Sequence, residues 1–208
     1  SYALDDDRFI IVATLLQKKA NVNRVRDRTG NTALHVAVQN GRCSIVKLLL
    51  QANATVNAAS SHDGITPTYT ASLHGHDDVL ALLIAAKADV DMSQMGVGAS
   101  PVYVAAQNNH CRALRLLIKA DADITAARRD SDFSPIDVAA GNGHVAAVHL
   151  LLAVKVNPDR VRARDGVTPS YLAAEMGHAD VLQALVDANA DVNRSRTDRP
   201  STLIYARS

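Results

Sequence analysis

An all-α solenoid of helix-turn-helix units joined by hairpin loops is the fold this sequence predicts. Thr32, Thr66, Ser100, Ser134, Thr168 and Thr202 stand 34 residues apart without slippage, opening the phrases TALHVAVQNG, TPTYTASLHG, SPVYVAAQNN, SPIDVAAGNG, TPSYLAAEMG and TLIYA. A fixed period of this size builds a stacked array in which each unit buries its apolar face against its neighbours. A second apolar stripe at helical spacing follows the opening phrase, as in Val79, Leu80, Leu82 and Leu83, so each unit holds two helices. The apolar residues are mostly Ala, Val and Leu, with no Trp and only Phe9 and Phe133 as phenylalanines. Such residues suit many small helix contacts rather than one aromatic-rich centre.

The elements follow in order. Residues 1–26 read as a partial unit: projected backwards, the period puts Ser1 just inside a first helix, with Ala3, Leu4, Ile11, Val12 and Leu15 as apolar positions of a clipped repeat. Full units are expected at 27–60, 61–94, 95–128, 129–162 and 163–196, and residues 197–208 begin another. In the unit 61–94, Thr66-Pro67 opens a helix, because the hydroxyl caps free amides and proline at the first helical position forfeits no needed donor. That helix runs to about Leu73, and His74-Gly75-His76 breaks it. A second helix starts near Asp77, where Asp77 and Asp78 meet the positive end of the macrodipole, and ends near Lys87. Solenoid ends normally carry polar capping repeats. The partial units at both ends therefore suggest a piece excised from a longer protein, with frayed termini.

These phrases resemble the ankyrin repeat. The resemblance rests on Asp63-Gly64, Thr66-Pro67, Gly75-His76, Leu82-Leu83 and Ala88-Asp89-Val90-Asp91 in one unit. In another it rests on Asp165-Gly166, Thr168-Pro169, Ala173-Ala174, Gly177-His178 and Ala190-Asp191-Val192-Asn193. It implies a β-hairpin followed by two antiparallel helices in each unit. The period exceeds the family's commoner 33 by one residue, which we place in the hairpin. Where the family usually has Gly after the second helix, this chain has Lys19, Asn53, Lys87, Asp121, Lys155 and Asn189. A left-handed cap is easiest for Gly and next for Asn or Asp, so the lysines should be strained or capped differently. The family's first-helix His survives only as His35; Tyr69, Tyr103, Tyr171 and Tyr205 replace it, with Asp137 the odd member. The resemblance further marks Leu185 to Asn193 as having the form of an asparagine hydroxylation target, with Asn57 after Leu49 a weaker match. The plainer role for such an Asn is to satisfy the backbone of a tight turn.

Composition narrows the function. A formal net charge of +1 gives no global pull on nucleic acid, and no apolar run reaches the roughly 20 residues that span a bilayer. No signal-peptide pattern opens the sequence, so an intracellular protein, cytoplasmic or nuclear, is expected. Cys43 and Cys111 hold the same place two units apart, about 20 Å by helix-layer spacing, and are expected to be free thiols. No metal or cofactor is expected. His76, His110, His144 and His178 lie one period apart, which points to a job needed in every unit, such as bonding the loop between its helices, rather than to catalysis. Glu175 is the only glutamate, and the signatures of nucleophile elbows, phosphate loops and zinc proteases are missing. The sequence predicts no enzyme.

Two sets of residues look suited to a partner. In the hairpins, Arg26, Arg128, Arg162 and Arg196 share one column, with Arg160 and Arg194 two residues earlier. Stacked, they would form a ladder fit for an acidic segment. Alternatively, Asp27, Asp130, Asp132, Asp165 and Asp198 in the same hairpins simply pair with them. A second column holds Asn31, Ile65, Ala99, Phe133, Val167 and Ser201. The resemblance turns it toward the concave side; the alternative for Ile65, Phe133 and Val167 is packing between hairpins. The companion first-helix places, also by resemblance, include Leu73, His74, Gln107, Asn108, Asn142, Glu175 and Met176, which vary while the framework does not. Partner contacts are therefore expected at Ile65, Leu73, His74, Gln107, Asn108, Phe133, Asn142, Val167 and Met176, edged by Arg128, Arg162 and Arg196. Phe133→Ala is expected to weaken binding and leave the fold intact. The expected function is that of a monomeric module or adaptor that docks a protein or peptide, without nucleic acid or membrane insertion. A substrate-selecting domain of a larger enzyme, and an engineered or purely structural array, stay open as alternatives.

Overall fold

The computed structural model describes residues 2–25 and 28–194, the first six of them by backbone alone. Arg26, Asp27, Arg196, Asp198, Ser201, Thr202 and Tyr205 lie outside the described residues. Among those described there are eleven helices and no strand. Helix α1 is Tyr2–Gln17, and five pairs follow: α2 (Ala33–Gln39) with α3 (Cys43–Gln51), α4 (Pro67–His74) with α5 (Asp77–Ala85), α6 (Pro101–Gln107) with α7 (Cys111–Lys119), α8 (Pro135–Gly141) with α9 (Val145–Ala153), and α10 (Pro169–Glu175) with α11 (Ala179–Asp187).

The pairs stack in register as two rows. An inner row runs α2, α4, α6, α8, α10; an outer row runs α1, α3, α5, α7, α9, α11. From α4 onward the inner helices are sealed almost all round: Pro101 to Ala106 in α6 and Pro135 to Ala140 in α8 are buried throughout. Small residues at facing positions, such as Ala105, Ala139 and Ala173, let these short helices approach closely. The outer helices bury a single stripe, Val79, Leu80 and Leu83 in α5 and Ala113, Leu114 and Leu117 in α7. Leu82 and Leu116 sit half-covered behind that stripe.

Local chemistry explains each boundary. Thr66, Ser100 and Thr168 cap their helices by accepting from the N–H of Tyr69, Tyr103 and Tyr171, each at 3.2 Å, with proline at the first helical position. Where the tyrosine is replaced, the cap closes from both sides: the Thr32 N–H donates to His35 Nδ1 at 3.2 Å, and the Ser134 N–H to Asp137 Oδ2 at 2.8 Å. That is why a His and an Asp share the tyrosine column, since both reach back to the cap backbone. The two helices of a pair are separated by a left-handed residue, Gly41, Gly75, Asn109, Gly143 or Gly177. The second helix of each unit likewise ends two residues before a left-handed position. Lys19, Lys87 and Lys155 adopt it at φ of 60°, 64° and 63°, so the family's glycine has been replaced without relieving the backbone requirement.

The connections are hairpin loops rather than β-hairpins. Between residues 60 and 167 each is closed by two backbone bonds, such as Arg128 N–H to Phe133 O at 2.9 Å and Asp132 N–H to Arg128 O at 2.8 Å. The first neighbouring loops are tied by one more, as in Met95 N–H to Asp63 O at 2.8 Å, and the last pair by Ala163 N–H to Asp132 Oδ2 at 2.7 Å. Two or three bonds hold a loop but make no ladder.

The first unit departs from the expected clipped repeat. Instead of a first helix, a turn and a second helix, residues 2–17 form one continuous helix in the outer row. The period puts Asp7 where later units have Gly or Asn in the left-handed turn. Asp7 stays helical instead, and the chain runs straight on.

Candidate binding surface

Most periodic polar residues hold the stack together. The Nε2–H groups of His76, His110, His144 and His178 donate to the carbonyls of Gln39, Leu73, Gln107 and Gly141 at 3.0–3.2 Å. Each bond crosses to the C-terminal end of the preceding inner helix. These histidines therefore pin unit to unit rather than bonding a loop within their own unit, and they terminate carbonyls that helix ends leave open. A second ladder runs through the loops after the outer helices. Asn23, Asn57, Asp91 and Asp159 accept, at 2.8–2.9 Å, from the backbone N–H of Thr55, Asp89, Asp123 and Asp191 in the next unit. Asn57 is thus held in the turn-satisfying role. Cys43 and Cys111 are free thiols at the starts of α3 and α7.

The hairpin arginines are matched by carboxylates. Arg128 Nε lies 3.0 Å from Asp130 Oδ1, and its guanidinium holds Asp130 below the usual carboxylate range. Arg162 Nε lies 2.7 Å from Asp165 Oδ1, with a second contact between the same two residues. Arg128 also lies over the Tyr103 ring at 5.5 Å, and Arg162 over the Phe133 ring at 4.1 Å. Arg160 had no assigned part beyond its column, yet it forms the most buried of these ion pairs. Its Nη1 meets Asp137 Oδ2 at 2.8 Å and its Nη2 meets Asp132 Oδ1 at 2.7 Å. Asp137 is 1 % exposed, and burial pushes its pKa up while Ser134 and then the arginines pull it back. Its Oδ2 gathers the donors while Oδ1 is buried without one. The sequence signal was the lone Asp in a tyrosine column.

Among the expected contact residues, Ile65, Leu73 and His74 come together. With Asn31, His35, Gln39, Thr70 and the first two hairpins they line a cavity of about 280 Å³ against α2 and α4. Farther along the inner row, Asn108, Asn142 and Met176 are exposed, Met176 at 56 %, and Gln107 is half-exposed. The Asn142 side chain donates to the Gln107 carbonyl at 3.1 Å, and that of Asn108 to the Val104 carbonyl at 2.8 Å. Two residues fall differently. Val167 is only 2 % exposed and packs with Tyr171 and Leu172, so its side chain belongs to the interior, with no face left for a partner. Phe133 rests half-buried on that cluster beneath Arg162. Phe133 therefore packs between hairpin and helix as well as facing outward, so truncating it removes that packing too. Sequence reasoning placed Asn31 and Gln39 in the right columns but missed His35 and Thr70, and that the four border one cavity, since they come from two units.

The comparisons with known proteins accord with this architecture. A model described as ankyrin repeats in many copies matches residues 1–50, and one described as ankyrin repeats in three copies matches residues 56–128 and again 126–196. Among solved structures, the human ASB11 ankyrin repeat domain is similar with a TM-score of 0.81 at 26 % identity, covering 99 % of this chain and 90 % of that one. No curated protein sequence matches. No described helix is long and apolar enough to cross a membrane.

Proposed function

Because this chain belongs to the ankyrin repeat family, a family of protein-interaction modules, we propose that it is a recognition module that docks a protein or peptide segment along the inner row and its hairpins. The observation that carries the reading is the division of labour among periodic positions. Histidine, Asn/Asp and cap columns are consumed by bonds between and within units. Leu73, His74, Gln107, Asn108, Asn142 and Met176 change identity from unit to unit on the same face. Residues freed from packing on a rigid scaffold are where partner contacts concentrate.

The chemistry of the face favours an uncharged or mixed segment with an apolar anchor. Ile65 and Leu73 offer an apolar floor beside His35 and His74, whereas Arg128 and Arg162 already face Asp130 and Asp165. An acidic partner would have to compete with those carboxylates. The units 27–60 to 163–196 then act as successive reading positions.

The test is affinity capture with the parent chain, a His74→Glu, Met176→Lys variant, and an outer-row control, Arg115→Ala. All three substituted side chains are exposed, so the thermal melts should coincide. A partner retained by the parent and control but lost by the inner-row variant is the expected result. A partner held equally by all three removes the inner row from the proposal.

A further inference from the structure

We infer that the cavity between α2 and α4 is built for an arginine of the docked protein or peptide, whose guanidinium pairs with Asp63 while its methylenes lie over Ile65 and Leu73. The inference rests on the proposed docking along the inner row and names the side chain that anchors it. Asp63 is the one carboxylate among the described residues lining this cavity of about 280 Å³, and no arginine or lysine lines it.

The repeat itself shows what such a space holds. Three periods on, the same boundary is filled by Arg162, whose side chain is only 11 % exposed. Its Nε and Nη2 meet the two oxygens of Asp165, and its guanidinium lies 4.1 Å from the centre of the Phe133 ring. The counterparts of Arg162, Asp165 and Phe133 here are Ser60, Asp63 and Asn31, all three on the cavity wall. Arg160, the other guanidinium at the later boundary, corresponds to Ala58. The cavity is thus the space that an arginine occupies in the later unit.

The carboxylate is present and its cation is missing. Asp63 Oδ1 accepts from the Ile65 N–H at 3.2 Å, as Asp165 Oδ1 accepts from the Val167 N–H at 3.3 Å. The Ser60 hydroxyl takes the place of Arg162 Nε on that same oxygen. Oδ2, the counterpart of the oxygen that meets Arg162 Nη2, has no such donor among the described residues. At the intervening boundaries the charges are matched: Gln94 and Val97 carry neither, and Arg128 is met by Asp130. Among these boundaries only Asp63 stands in its column without a guanidinium.

The walls suit a guanidinium better than an ammonium or an acid. Asp63 is half-buried, so a pair formed there is screened less than one on the open surface. A planar fork can place one N–H on Asp63 Oδ2 and offer another to the side-chain amides of Asn31 or Gln39, whereas an ammonium is a single point charge. Long basic side chains lay their stems along apolar surface, and Ile65 and Leu73 supply it. His35 stands where Asp137 receives Arg160. Burial lowers its pKa, so it opposes no incoming cation. An acidic side chain would meet Asp63 as a like charge.

The experiment selects binders to the whole 208-residue chain from a library of random linear peptides and measures the selected peptides by fluorescence anisotropy. They are expected to share one arginine. Replacing it with citrulline, which keeps the shape and removes the charge, should weaken binding about 10- to 100-fold. An Asp63→Asn chain should lose as much while melting with the parent, because Asn keeps the acceptor for the Ile65 N–H. Ser60→Arg supplies the guanidinium from within. It should lower peptide affinity at least as far and raise Tm by about 1–4 °C, a rise that vanishes when Asp63→Asn is added. Peptides without a shared arginine, an arginine indifferent to citrulline or to Asp63→Asn, or a Ser60→Arg chain melting below the parent would each overturn the inference. Peptides that lack the arginine yet are lost on the His74→Glu, Met176→Lys chain leave docking on the inner row standing. Peptides held equally by that chain, or a library that yields none, remove the docking as well.

Discussion

Lys87→Gly combined with Lys155→Gly should make the protein more stable, although glycine is the more flexible residue. Both lysines follow an outer helix at φ of 64° and 63°, where an L side chain crowds the following carbonyl. The left-handed conformation costs an L-residue roughly 1–2 kcal/mol, whereas glycine gives back about 0.4–1 kcal/mol through its freer unfolded chain. The net gain is about 0.5–1 kcal/mol per site. Both side chains are exposed, so no packing is lost with them. The sites lie two units apart without shared partners, so the gains should add to about 1–2 kcal/mol. For a chain of this size that corresponds to a rise in Tm of roughly 3–6 °C. Thermal melts and urea titrations of parent and double variant measure it. Asn53→Gly, at φ of 62°, is the control and should gain less, because Asn tolerates this region. A double variant no more stable than the parent, or an asparagine site gaining as much as a lysine site, would refute the strain argument.

Three further outcomes follow from the bonds described. His110→Ala removes the Nε2–H donor to Leu73 O across the unit boundary and should cost about 1–3 kcal/mol in a urea titration, the range for a hydrogen bond whose acceptor is left behind. Asp137→Ala opens the cap at Ser134 and strands Arg160; a loss of about 3–5 kcal/mol is expected, as when one member of a buried pair is removed, and a change under 1 kcal/mol would show that Arg160 relaxes freely onto Asp132. His35 gives a pH dependence. Burial lowers its pKa below the ordinary 6.5, and its Nδ1 must stay unprotonated to accept from Thr32. Its folded pKa is depressed, so its contribution is present in full above 6.5 and is lost as pH falls through the lower folded value. Urea midpoints at pH 7.5 and at successive steps below 6.5 should therefore separate less in a His35→Tyr variant than in the parent.

Much of the architecture was written in the residues because a repeat states its packing rules many times over. The caps at Thr66, Ser100 and Thr168, the turns at Gly75 and Gly143 and the stripe of Val79, Leu80 and Leu83 follow from local chemistry and helical spacing. So did the need for a left-handed backbone at Lys87, which the structure meets with lysine in place. The binding surface was less legible. Ile65, Leu73 and His74 meet with Asn31, His35 and Gln39 only when two units are superposed. Whether Val167 and Phe133 face a partner or a neighbouring helix depends on the distance between hairpins.

What the sequence determined alone is therefore the periodic part: helix pairs, their caps, and equivalent letters in rows, since those rest on contacts within about four residues or one period away. The tertiary structure decided what each row touches. It turned the histidine column into a set of pins between units, joined Arg160 to a buried Asp137, drew Val167 inward, and ran α1 straight where a turn was expected. These outcomes turn on side chains competing for a shared space that no single unit contains, and a linear pattern carries no measure of that space.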